Sequence, residues 1–164
     1  NVRLDTYHFL PNDIVKDFTV FEFEDWVNII PVTPEGAVVT IRQYRHGVQR
    51  ETVEIPGGLI SKEDVSPMEA ARREMAEETG YTSASVVHLG TVEPNPALQT
   101  NRCHTFLARD CIKAGDQSLD PTESVRIQLM PLSDVYQMIR DGTITHALVV
   151  AAFAHLLLYE AGLS

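Results

Sequence analysis

The chain has 164 residues, enough for one domain with a sizeable core. Its 44% apolar and 22% charged residues are the composition of a soluble globular protein. A formal net charge of −10 repels nucleic-acid backbones and anionic membranes, so neither is expected as a main partner.

Residues 1–17 are mixed and show no clear period. From Phe18 to Glu24 the chain turns aromatic and β-branched. Trp26 to Thr33 and Ala37 to Tyr44 flank the turn sequence Thr33-Pro34-Glu35-Gly36, which predicts a hairpin. Glu51 to Ile55 reads as a short strand that stops at Pro56-Gly57-Gly58. Pro67 to Thr79 is the clearest helix: Ser66 can cap it, Pro67 suits the first helical position, Glu69 completes a capping box, and Gly80 ends it. Strands are expected again over Val86–Glu93 and Arg102–Ala108. A half-buried strand follows, with Val125, Ile127 and Leu129 alternating against Arg126 and Gln128. Two helices close the chain, the first capped by Ser133 and stopping at Asp141-Gly142. The second is capped by Thr145 and runs to about Glu160. The order of elements, without repeat or linker, favours one mixed sheet covered by helices.

The two cysteines, Cys103 and Cys111, have neither metal-ligand spacing nor a disulfide framework, which suggests a reducing compartment. The longest apolar stretch, Ala147 to Tyr159, is too short to span a bilayer and reads as a buried helix. A cytoplasmic protein is expected.

The chemistry concentrates in Arg73-Glu74-Met75-Ala76-Glu77-Glu78-Thr79-Gly80-Tyr81. Glu74, Glu77 and Glu78 sit at i, i+3 and i+4, so one helix face carries three carboxylates. Such a cluster repels itself unless basic groups or cations offset it. Arg73 can pair with Glu77, leaving Glu74 and Glu78 freest to bind a hard cation through oxygen. Upstream, Glu54-Ile55-Pro56-Gly57-Gly58-Leu59-Ile60 is a strand running into a glycine turn, where backbone can approach a ligand closely.

Strand, glycine loop and acidic helix together, over residues 54–81, resemble the Nudix box. From Arg73 onward every position of that motif matches, with Tyr81 in the last apolar place. Upstream there is one departure. Counted from Arg73, the motif's Gly falls on Leu59 and its first Glu on Val65; counted from Gly58, the Glu falls on Asp64. One extra residue between Ile60 and Ser66 accounts for this and leaves Glu63 or Asp64 as the loop carboxylate.

The resemblance covers roughly residues 25–160 and is strongest to the ADP-ribose pyrophosphatase branch. Arg42-Gln43-Tyr44-Arg45 is similar to the strand that, in that branch, brings an Arg at the position of Arg45 to the substrate phosphates, a task suited to a planar guanidinium. Pro96, fifteen residues past Tyr81, stands at a branch marker. Glu123-Ser124-Val125-Arg126-Ile127 resembles the segment that supplies a further loop carboxylate. His104 stays open between substrate contact and strand neighbour, and Trp26 between base stacking and core; His46 and His155 read as structural.

The resemblance implies an α/β fold, the Nudix-type α/β/α sandwich with a mixed sheet and a catalytic loop-helix-loop, as a single domain over 1–164. It implies Mg²⁺-dependent hydrolysis of ADP-ribose or a related nucleoside diphosphate sugar to a nucleoside monophosphate and a sugar phosphate, with Mn²⁺ able to substitute. Glu74, Glu78, Glu77 and the Gly57 carbonyl would hold the metal. Metal ions also reconcile an acidic protein with an anionic substrate. Glu123 is the first candidate for base, with a box carboxylate such as Glu77 as rival, and Arg73 completes the catalytic set. Arg45, Arg42, Glu54, Gly58 and Pro96 are the candidate substrate contacts. Enzymes of this branch are commonly homodimers with exchanged N-terminal strands, a role open to residues 1–30. Two alternatives remain: a Nudix enzyme for another substrate, such as GDP-mannose or a nucleoside triphosphate, and a non-catalytic ligand-sensing module.

Overall fold

In the computed structural model, which describes residues 1–163, the stretch without clear period is a long hairpin. Its strands are β1 (Val2–Phe9) and β2 (Ile14–Phe21), paired from Val2↔Phe21 to Phe9↔Ile14. Apolar side chains alternate there but stay exposed, among them Leu4, Tyr7, Phe9 and Val15. Its base is tied to the body through the Phe21 amide, which donates to the Leu98 carbonyl at 2.7 Å.

The next strands are β3 (Trp26–Pro31), β4 (Ala37–Arg45), β5 (Arg50–Glu54) and β6 (Gly57–Leu59). The expected pairing of residues 26–33 with 37–44 does not occur. The turn forms, with Gly36 at φ 83°, but only one bridge, Val32↔Val38, joins the two strands. Beyond it they diverge into different sheets, because β3 and β4 are each apolar on both faces and take other partners.

Helix α1 (Pro67–Thr79) has the predicted bounds, with the Ser66 hydroxyl accepting from the Glu69 amide at 3.3 Å. The Glu69 carboxylate turns instead to Arg72, at 3.5 Å. After the short β7 (Tyr81–Thr82) come β8 (Ser85–Val92), β9 (Cys103–Arg109), the short β10 (Ile112–Lys113) and β11 (Val125–Pro131). The helices α2 (Leu132–Arg140) and α3 (Ala147–Glu160) close the chain.

Strands β6-β3-β9-β8 make a mixed four-stranded sheet in which β3 and β9 run parallel. Strands β11-β4-β5 make an antiparallel three-stranded sheet, and β7 pairs with β10. Helix α1 packs on β3, β6 and β9, setting Met75 against Val27, Ile29 and Phe106. Helix α3 covers the other face, setting Phe153 and Leu156 against Ile30 and Leu107. The result is the expected α/β/α layering, the mixed sheet lying between α1 and α3. Among the described residues no helix is long and apolar enough to cross a membrane.

Three local expectations are corrected. Along β11 the inward face changes: Val125 is buried, Leu129 is exposed and Met130 joins the core under α2 and α3. Ser133 lies inside α2 and bonds to Asp134, and Pro131 holds the cap position without a side-chain bond. Thr145 does not cap α3, since its hydroxyl accepts from Arg50 and His146 takes the cap position.

Gly80 ends α1 in a conformation that strains any residue with a side chain. It has φ 66°, and a Cβ there would collide with the Gly115 carbonyl. Gly80→Ala combines left-handed strain with that clash, for an expected loss of about 2 kcal/mol. Thermal unfolding should fall by roughly 4–8 °C; an unchanged melting temperature would contradict this reading of the helix end.

Candidate active site

One guanidinium organises the loop before α1. Arg73 donates to both oxygens of Asp64, at 3.1 and 2.9 Å, to the Leu59 carbonyl at 3.1 Å, and to Glu74 and Glu77, each at 2.9 Å. Asp64 in turn accepts from the Ser61 amide and hydroxyl. The Arg73 guanidinium holds the Asp64 carboxyl well below the usual carboxylate range, helped by Ser61. Asp64 rather than Glu63 thus fills the loop-carboxylate position, and the extra residue is absorbed by the turn at 61–64. Arg73 pairs with Glu77 as expected, and the same nitrogen also reaches Glu74, which is therefore less free than the spacing suggested.

The glycines act by close approach. A Cβ on Gly58 would strike the Glu74 carboxylate, and one on Gly57 would strike the Val27 carbonyl and Asn28. With neither present, the backbone of β6 lies directly beneath the carboxylate face of α1. The Gly57 amide donates to Glu78 at 3.0 Å. Glu78 is only 4% exposed. Burial, and then the charges of Glu74 and Glu123, push its carboxyl up to about 8, against the Gly57 bond. Glu74 is raised too, chiefly by burial. Glu77 is the open member of the three.

Glu123 is exposed, on a loop pinned to the end of α1. The Gln117 amide donates to the carbonyls of Glu78 at 2.6 Å and Val125 at 3.1 Å, and the Ser118 amide donates to the Glu77 carbonyl at 2.8 Å. The Glu123 carboxylate accepts from the Asp120 amide at 3.2 Å, and its charge is felt at Glu74, Glu78 and Arg45. Glu74, Glu78, Glu123 and Arg45, from α1, β4 and this loop, are therefore near enough to act on one another's charge. Carboxylates over a backbone-rich floor offer the oxygen ligands that a hard divalent cation prefers, and among the described residues no three acidic side chains already form a closed cage for one.

Beside them opens a cavity of about 660 Å³. Strand alternation puts Arg45, Thr52 and Glu54 in its wall. Arg45 grips both Glu54 oxygens, at 2.8 and 2.6 Å, and the Thr52 hydroxyl donates to Glu54 at 2.6 Å. Gly57 and Gly58 line the cavity, as do Trp26 and Phe23, whose rings are 6.4 Å apart. Trp26 is half-buried in that wall rather than in the core.

Two candidate contacts lie elsewhere. Arg42 is three residues from Arg45, hence on the opposite face of β4, and donates to Gln128 at 3.0 Å. Pro96 sits in an exposed turn closed by the Leu98 amide and the Asn95 carbonyl, outside the cavity. His104 bonds Thr91 and Asp25, its neighbours across the sheet edge. His46, read as structural, lines the cavity, as do Arg50 and His146, which sequence reasoning passed over.

This geometry is matched by kinship. The NUDIX domain model matches residues 23–153, and the chain belongs to the Nudix family: it is a hydrolase of phosphorus-containing anhydrides. It is 29% identical over 153 residues to an ADP-ribose pyrophosphatase of Bacillus subtilis, covering 93% of this chain and 82% of that one. It is 30% identical to a GDP-mannose pyrophosphatase of Pectobacterium atrosepticum, covering 74% and 66%. A solved structure of an ADP compounds hydrolase superposes with a TM-score of 0.84 at 22% identity, over 99% of this chain and 88% of that one, and so shares the fold.

The elevated Glu78 makes a pH prediction. With no metal, the folded state keeps a proton that the unfolded state has released, between the ordinary Glu value and about 8. Stability is therefore lost as pH rises through that window. In chelator, Glu78→Gln should match the parent near pH 4 and exceed it at pH 9 by roughly 3–5 kcal/mol. A parent that is the more stable at pH 9 in denaturant melts would overturn the assignment.

Proposed function

We propose that the protein hydrolyses the pyrophosphate bond of ADP-ribose or a related nucleoside diphosphate sugar, giving a nucleoside monophosphate and a sugar phosphate. The single observation that carries this reading is that the Glu74–Glu78–Glu123 group lies against the Gly57–Gly58 wall of a cavity of about 660 Å³ that Arg45 also lines. Relatives named for ADP-ribose and GDP-mannose support the substrate class. The intact box carboxylates weigh against a purely sensing module.

Glu74 and Glu78, with Glu77 and the Gly57 carbonyl, would hold Mg²⁺, and Mn²⁺ would substitute. The chemistry a bound ion supplies is charge neutralisation on the pyrophosphate and a more acidic water. Arg45 keeps its clamp on Glu54 and turns its remaining N–H groups to a phosphate oxygen. Glu123, on its pinned loop, takes the proton of the attacking water, with Glu77 as the rival base. Arg73 touches no reacting atom in this account: it fixes the loop and shares its charge between Glu74 and Glu77. Gly58 leaves room for Glu74.

A homodimer is part of the same reading. The exposed apolar side chains of the β1–β2 hairpin are what an exchanged N-terminal arm would bury. The two buried, unpaired cysteines suit a reducing compartment such as the cytoplasm.

The test is a panel of nucleoside diphosphate sugars, triphosphates and dinucleoside polyphosphates, with product resolved with and without Mg²⁺. ADP-ribose or a close analogue should lead in kcat/KM, and chelator should abolish turnover. Glu123→Gln should lower kcat by about 10²-fold with little change in KM, a loss of about 2.7 kcal/mol in the transition state. Triphosphates leading by tenfold would refute the substrate class, and a KM effect alone would move the base to the box.

A further inference from the structure

The cavity has two unlike ends. Toward α1 it is lined by Gly57 and Gly58, whose backbone lies against the Glu74 and Glu78 carboxylates. At the opposite lip the hairpin joining β4 to β5 turns at residues 46–49, and register places Arg50 directly across from Arg45. The Arg50 guanidinium is not loose: it donates to the Thr145 hydroxyl at 2.6 Å, bridging β5 to the residues before α3. Among the described residues it has no carboxylate partner within ion-pair distance, although the chain carries 23 acidic side chains against 13 Lys and Arg. His46 and His146 complete this lip.

The one acid in the same wall is already neutralised. Glu54 is 3% exposed and both its oxygens are held by Arg45, with His146 at 4.0 Å. The lip therefore carries the uncompensated charge of Arg50 and the N–H groups of two imidazoles, each with at least one to donate. Arg50 is exposed at this lip but held in place by Thr145, and a guanidinium so oriented is a recognition group for phosphate oxygens, because its planar fork is pre-organised. In a protein of net charge −10 this is the part of the cavity that would attract a further anion.

Resting on the proposed pyrophosphatase activity, we infer that Arg50, with His46 and His146, forms a second anion subsite. Its ligand is a phosphomonoester carried by the substrate in addition to the pyrophosphate that Arg45 and the carboxylate end engage. The preferred substrates are then nucleoside diphosphate sugars with a third phosphate. Charge makes the subsite selective: the plain sugar leaves Arg50 facing solvent, whereas the phosphorylated one gives it a charge-assisted partner.

The experiment compares ADP-ribose with its 2′-phosphate and with its distal 5-phosphate, so that the two arms identify which end of the substrate reaches the lip. Turnover is measured in Mg²⁺, and binding is measured by calorimetry in chelator. One phosphorylated ligand should exceed ADP-ribose by at least about tenfold in both kcat/KM and affinity. Arg50→Gln should collapse that ratio toward one, and Arg50→Lys should restore part of it. His146→Gln should shrink it less. Equal handling of all three ligands by the parent, or a ratio untouched by Arg50→Gln, overturns the subsite. Failure to bind or cleave any of the three would instead refute the pyrophosphatase reading on which it rests.

Discussion

Three carboxylates on one face of a helix repel one another, and the surroundings of α1 are arranged around that repulsion. Arg73 answers it from the side, sharing one nitrogen between Glu74 and Glu77 while its other nitrogens bind Asp64 and the Leu59 carbonyl. The glycine loop answers it from below, with an amide for Glu78 and no side chain under Glu74. Glu78 nonetheless stays elevated, chiefly because it is buried and then because of the charges of Glu74 and Glu123. Buried carboxylates beside one another are a chemistry that a bound cation would relieve, which is the basis of the proposed metal site.

The same constraint accounts for the layout of the cleft. An acidic protein must draw in an anionic substrate, so charges of opposite sign have to be separated along the cavity. The acidic groups gather under α1, and the basic ones line the wall of β4 and β5, where Glu54 neutralises Arg45 but Arg50 stays uncompensated. The connection between the ends is mechanical as well as electrostatic. Gln117 couples the Glu123 loop to the end of α1, and Thr145 couples Arg50 to the start of α3. A substrate spanning both ends would be held against two helices packed on opposite faces of one sheet.

Much of this was legible in the residues. Helix α1 could be bounded because its cap, its first-turn proline and its terminal glycine all agree with its periodicity. The carboxylate face followed from spacing alone. What sequence could not give was tertiary choice. Strands β3 and β4 read as a hairpin because the turn between them is genuine, yet both are apolar on two faces and each found other partners. Leu129 fits the alternation of β11, but that strand crosses from one covering layer to another. In the site, Arg45 and Arg42 look equivalent in sequence and are separated only by the faces of a strand. His46, Arg50 and His146 carry no motif, and only packing brings the start of α3 to the turn after β4. The choice between Glu63 and Asp64 required the geometry of Arg73, whose fork fits both Asp64 oxygens.

The central claim is that the face made by Glu74 and Glu78 over the Gly57–Gly58 backbone binds the divalent ion used in hydrolysis. Anomalous diffraction from crystals soaked in Mn²⁺ tests it most directly. The account predicts manganese peaks within about 2.0–2.6 Å of Glu74 and Glu78 oxygens, lost in the Glu78→Gln protein. Manganese bound only at other carboxylates, with the α1 face empty at saturating metal, would contradict it.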